Sequence, residues 1–103
     1  MLMTSAVTVT LLMNIKPEFM EAFIEGLPEL TRGTSSAAGA LSVRVLRQHQ
    51  DSQAICFVEQ WENEAAFHAY IAWREARGDM AHLGQLLSAP PQINLWSSLS
   101  ESP

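Results

Sequence analysis

The chain has 103 residues, 48% of them hydrophobic and 17% charged, with a net charge of −5; this is the composition of one globular domain with a single modest core, not of a disordered segment or of two domains. An acidic balance repels phosphate backbones and the six basic residues form no stripe, which argues against nucleic acid as a partner. No apolar run approaches the roughly 20 residues of a bilayer span. Met1 to Ala6 lacks the basic start and apolar core of a secretory leader, and the lone Cys56 can form no internal disulfide, so a cytoplasmic location is expected and no membrane partner.

Val7 to Ile15 alternates as a first strand, with Val7, Val9, Leu11, Met13 and Ile15 on one face and Thr8, Thr10, Leu12 and Asn14 on the other. Lys16-Pro17-Glu18 starts a helix, since proline and acid both suit a first turn. Its apolar stripe is Phe19, Phe23, Leu27 and Leu30, broadened by Met20 and Ile24; Pro28 is expected to kink it, and Gly33 to end it before a loop of small residues from Thr34 to Gly39. A second strand, Leu41 to Gln48, turns through His49 to Ser52 into a third, Gln53 to Trp61. Asn63 is a good cap for a helix beginning at Glu64, in which Phe67, Tyr70, Ile71 and Arg74 share a face. Gly78 ends that helix and Asp79 is expected to cap a short one through Leu87; Pro90-Pro91 then leads into a fourth strand, Gln92 to Leu99.

The order strand, helix, strand, strand, helix, strand is a split βαβ arrangement, α+β in class, with helices on one face of a four-stranded antiparallel sheet. The other face mixes apolar with small polar residues where a solvated sheet would show charges, so a second copy of the chain, in a two-fold dimer, is the expected cover. The last strand, redirected by the two prolines, is expected to reach towards that partner.

Trp61, Tyr70 and Trp73 lie close to one strand-to-helix corner, each offering a wide apolar surface with a polar edge, and an aromatic-lined cavity is expected there. His68 sits one position from Phe67 and should face solvent, His49 belongs to a turn, and His82 lies among Leu83, Leu86 and Leu87 on the short helix. Glu59, inside a strand, needs a partner, for which Arg44 or Arg47 across the hairpin is expected. No set of His, Cys, Asp or Glu has metal-ligand spacing, and there is no phosphate loop, dinucleotide fingerprint or nucleophile elbow; neither metal nor cofactor is expected.

The Val-Thr-rich first strand, Lys16-Pro17-Glu18, and above all Phe57-Val58-Glu59-Gln60-Trp61 followed by Asn63-Glu64-Ala65-Ala66-Phe67, resemble the antibiotic biosynthesis monooxygenase family over residues 7 to 97, within a single domain 1–103. The resemblance implies a ferredoxin-like unit that dimerises as an α/β barrel. It also implies a small cofactor-independent monooxygenase acting with O2 on a phenolic, quinol or polyketide-like aromatic substrate. On that reading Trp61, Tyr70, Arg74 and His82 are the candidate catalytic residues, with Arg74 stabilising a phenolate and His82 as base, and Thr10, Phe23, Phe67, Trp73 and Leu83 line the substrate. Tyr70 and Arg74 stand where many members carry histidines, and Thr10, Tyr70 and Met80 stand where the haem-degrading branch carries Asn, Trp and His, so haem is disfavoured as substrate. The alternative, from another class, is a non-enzymatic small-molecule binder or structural dimeric module, since fold alone does not imply activity.

Overall fold

The computed structural model describes residues 6–101; Met1 to Ser5, part of the stretch on which the leader expectation rests, lies outside the described residues. Strand β1, Val7–Asn14, is followed by a 3-10 turn, Pro17–Phe19, and helix α1, Met20–Ser35. Then come β2, Ala40–Arg47, β3, Ala54–Trp61, α2, Glu64–Ala76, α3, Asp79–Leu86, and β4, Gln92–Trp96. The strands lie in the order β2-β3-β1-β4, all neighbours antiparallel, giving an α+β, ferredoxin-like architecture.

Register decides which side chains meet the helices. Val9 lies opposite Glu59, Leu11 opposite Phe57 and Met13 opposite Ile55, while Val43 and Val45 of β2 pair with Glu59 and Phe57. These residues form the face under α1 and α2. Val9, Leu11, Met13, Ile55 and Phe57 are buried there, and Phe23 of α1 meets Phe57 edge-on at 6.2 Å between ring centroids. The opposite face carries Thr8, Thr10, Leu12, Arg44, Leu46, Cys56 and Val58; Leu12, Leu46 and, on β4, Trp96 are exposed. Cys56 is half-buried on that face, and its thiol pKa is pushed up by burial, as for an inert packing residue.

Helix α1, which contains Pro28, departs from its expected end. It runs past Gly33 to Ser35. Pro28 and Ile24 are both exposed, so the Ile24 carbonyl that loses its backbone donor has access to water; this position also removes Ile24 from the buried stripe. Beyond Gly33 the helix is held by a tertiary contact in place of a loop: Thr34, buried, donates from its hydroxyl to the Leu30 carbonyl at 3.3 Å and shares a 2.8 Å hydrogen bond with the Tyr70 hydroxyl.

Helix α2 starts as its sequence dictates, with the Ala66 amide donating to the Asn63 side chain at 2.8 Å. Its inner face buries Phe67, Tyr70 and Arg74. Gly78 has φ of +84°, a conformation that strains any side-chain-bearing residue, and it occupies the capping position of α3. Asp79 is therefore inside the helix instead of capping it, and its carboxylate is taken by two arginines. The helix ends at Leu86, one residue short of expectation, where Leu87 turns extended and bridges to Ile15. Strand β4 also stops early, at Trp96 instead of Leu99, because Trp96 pairs with Thr8, next to the first residue of β1, and little partner strand remains beyond it. Among the described residues no helix is long and apolar enough to cross a membrane.

Candidate active site

Between α1, α2, α3 and the inner sheet face lies a cavity of about 700 Å³. That is within the range of small-molecule sites. Leu11, Met13 and Phe57 floor it; Phe23 and Leu30 line it from α1, Tyr70, Trp73 and Arg74 from α2, and Met80, His82 and Leu83 from α3. Of the nine sequence-derived candidates, six line it: Tyr70, Arg74, His82, Phe23, Trp73 and Leu83.

Three do not. Trp61 has no exposed surface; it packs at 5.0 Å from the Tyr70 ring and 5.9 Å from Phe67, so it supports the wall from behind. Phe67, 2% exposed, belongs to the same packed cluster. Thr10 projects from the opposite sheet face, where its hydroxyl accepts from the Trp96 indole at 2.8 Å. The strand period places Thr10 one residue off the inward set of β1, whereas Trp61, in phase with the inward residues of β3, is covered by Phe67 and Tyr70.

Glu59 also lines the cavity, whereas the sequence reading assigns it to an ion pair instead of to the site. Its position on β3, in phase with Ile55, Phe57 and Trp61, turns the carboxylate towards the helices. The expected ion pair with Arg44 or Arg47 is absent: Arg44 pairs in register with outward-facing Val58, and neither arginine bonds to the carboxylate. Glu59 instead accepts one hydrogen bond, from the Trp61 indole at 3.0 Å, and is 2% exposed. Burial raises its pKa, against the lowering effects of the Trp61 hydrogen bond and the Arg74 charge. A carboxyl group raised by burial beside a cavity is a better proton acceptor than an ordinary surface carboxylate, and suited to returning the proton.

Behind the cavity wall runs a hydrogen-bonded network. Arg74 donates from Nε to the Tyr70 hydroxyl at 2.8 Å, from Nη1 to Asp79 at 3.0 Å and from Nη2 to the Leu30 carbonyl at 3.0 Å, joining α2 to both α1 and α3. Burial opposes the charge on Arg74, but the bonds to Tyr70 and Asp79 more than offset it and its pKa is raised; Arg74 in turn holds Asp79 below the usual carboxylate range. Gly33 makes room for this guanidinium, since a Cβ there would stand 2.6 Å from Nη2. Arg74 is thus committed to structure at three nitrogens and presents a fixed positive field to the cavity. His82 is exposed at the rim with no side-chain partner among the described residues, and His68 faces solvent beside Glu64, as expected. Among the described residues no three His, Cys, Asp or Glu side chains are grouped to hold a metal ion.

The sequence model of the family described as antibiotic biosynthesis monooxygenase matches residues 6–77. No curated protein matches the chain. Among solved structures, a protein of Mycobacterium tuberculosis, Rv0793, superposes with a TM-score of 0.82 at 18% identity, over 96% of this chain and 100% of that one. A variant of SnoaB, a cofactor-independent oxygenase from Streptomyces nogalater, superposes with a TM-score of 0.81 at 15% identity, over 96% and 98%. A conserved protein of Methanosarcina mazei Go1 gives 0.81 at 19%, over 90% and 92%. At such identities these likenesses speak for the fold.

Proposed function

We propose that this chain, which belongs to the antibiotic biosynthesis monooxygenase family, oxidises an electron-rich phenolic or quinol-like aromatic with O2 in the cavity under α1 and α2, without a bound cofactor. The observation that carries the reading is Glu59, a carboxylate buried on the cavity wall, raised in pKa and held by a single indole donor. An activated ring methylene loses a proton to Glu59, and the resulting carbanion, delocalised into the phenolic ring, supplies the electrons to O2. The C–O bond that forms gives a peroxide, which takes up the proton from Glu59. Loss of the second C–H proton to the same carboxylate, with cleavage of O–O, releases hydroxide, which becomes water on protonation. Overall a CH2 and O2 become C=O and H2O. Arg74 stabilises the anion through its field, and the apolar floor of Leu11, Met13 and Phe57 excludes water from it.

Oxygen uptake by metal-free protein with anthrone- and quinol-type compounds tests this. Uptake dependent on Glu59 is the expected result. A panel that binds calorimetrically but consumes no oxygen would leave a small-molecule binder instead.

The outer sheet face completes the proposal. Leu12, Leu46 and Trp96, exposed beside half-buried Cys56 and Val58, form an apolar surface that a second copy of the chain would cover in a two-fold dimer. Burying one large apolar side chain contributes about 1.5–3 kcal/mol. Leu46→Glu is expected to shift sedimentation at micromolar concentration from dimer to monomer, because Leu46 points outward; Val45 pairs with Phe57 on the inner face and is the wrong residue for this test.

A further inference from the structure

We infer that the substrate carries a carboxylate on its aromatic ring, bound at the cavity mouth by Arg77 and Arg32 while the ring reaches inward towards Glu59; the inference rests on the cavity being the substrate site. Charge distribution is the first reason. Three of the six Lys and Arg residues in a chain of net charge −5, Arg32, Arg74 and Arg77, line this one cavity. Three carboxylates, Glu29, Glu59 and Asp79, share the lining, but only Asp79 is ion-paired, accepting from Arg74 Nη1 and Arg77 Nε, each at 3.0 Å, and Arg32 has no ion-pair partner among the described residues. Glu29, also on the rim, is within pairing distance of none of them.

The second reason is geometric. Trp73 stands exposed at the mouth with the Arg74 guanidinium 5.0 Å from its ring centroid and that of Arg77 4.8 Å from it. The two guanidiniums, each within cation–π distance of the indole, hold Trp73 at the mouth and add positive charge beside it. Arg77 engages Asp79 only through Nε, which leaves its terminal nitrogens free of side-chain partners among the described residues and arranged for two-point binding of a carboxylate. Arg74, by contrast, is occupied on all three nitrogens. The outer arginines therefore take the anion, and the buried one holds the wall.

Calorimetric titration of the full chain with 1-hydroxy-2-naphthoate and with 1-naphthol, which differ only in the carboxylate, separates the possibilities. The acid is expected to bind at least about tenfold more tightly, the preference shrinking at high salt and falling to within about twofold in the Arg32→Gln/Arg77→Gln double variant. Equal affinity, tighter binding of 1-naphthol, or a preference that survives in the double variant would overturn the inference while leaving the aromatic site standing. Binding of neither compound would overturn both together. Circular dichroism of the double variant, with both changes on exposed side chains, checks that its fold is retained.

Discussion

Glu59→Gln is expected to lower the rate of oxygen uptake by roughly 10²–10⁴-fold, the usual contribution of a positioned acid–base group, without lowering the thermal midpoint. The amide keeps an oxygen for the Trp61 indole and removes a carboxylate that burial disfavours, so the two readouts should move apart. A structural role would instead cost stability and spare the rate in proportion to folded protein. The pH dependence follows from the raised pKa. The folded state keeps the Glu59 proton at pH values where the unfolded chain, near 4.5, has released it. The stability from this group is complete below that value and is lost as pH rises through the folded pKa. Denaturant unfolding should therefore show the Gln variant gaining on the natural protein as pH rises, and the rate of the natural protein should rise with pH over the same interval as Glu59 becomes an available base.

Arg74→Met is the second large effect, and it acts on the fold. It removes three hydrogen bonds at once, leaving the Leu30 carbonyl and the Tyr70 hydroxyl short of a donor and Asp79 with Arg77 alone. The expected loss is about 3 kcal/mol, read as a fall in thermal midpoint of roughly 10–20 °C for a domain of this size. Arg77→Met is the control. Its side chain is largely exposed, and an exposed ion pair contributes under about 1 kcal/mol. Asp79 supplies an acid-side signature: its pKa is lowered in the folded state, so its contribution is present above the ordinary value of 3.8 and is lost as pH falls through the folded one. Arg74→Met should flatten that acid limb, which stability measurements between pH 5 and pH 2 would show.

Periodicity made most of this architecture legible in the sequence. The inward set of β1, the cap at Asn63 and the shared face of Phe67, Tyr70 and Arg74 all follow from local spacing, and the structure has them so. The misreadings arose where a distant residue overrides local preference. Gly33 and Thr34 are poor helix formers, yet α1 continues through them because Tyr70, thirty-six residues further on, binds Thr34. Trp61 has the chemistry of a site residue, but only the packing of Phe67 and Tyr70 around it reveals that it is sealed. Glu59 carried a usable signal. Alternation from Phe57 through Trp61 puts it on the inner face, and an inward carboxylate without a cation in register points to a site more than to a surface ion pair.

The two walls of the cavity differ in how freely they can change. Glu59, Tyr70 and Arg74 are each hydrogen-bonded to other parts of the fold, so altering any of them disturbs more than the cavity. Met80, His82 and Leu83 on α3 line the same space with no side-chain hydrogen bonds among the described residues, on a short helix fixed at its ends by Asp79 and by the Leu86 carbonyl, which accepts from the Lys16 amide at 2.8 Å. On the proposed function, substrate range can diverge along α3 at little cost in folding, while a reaction at Glu59 stays anchored on β3 and α2. A library confined to those three positions is the economical route to new specificities on this scaffold.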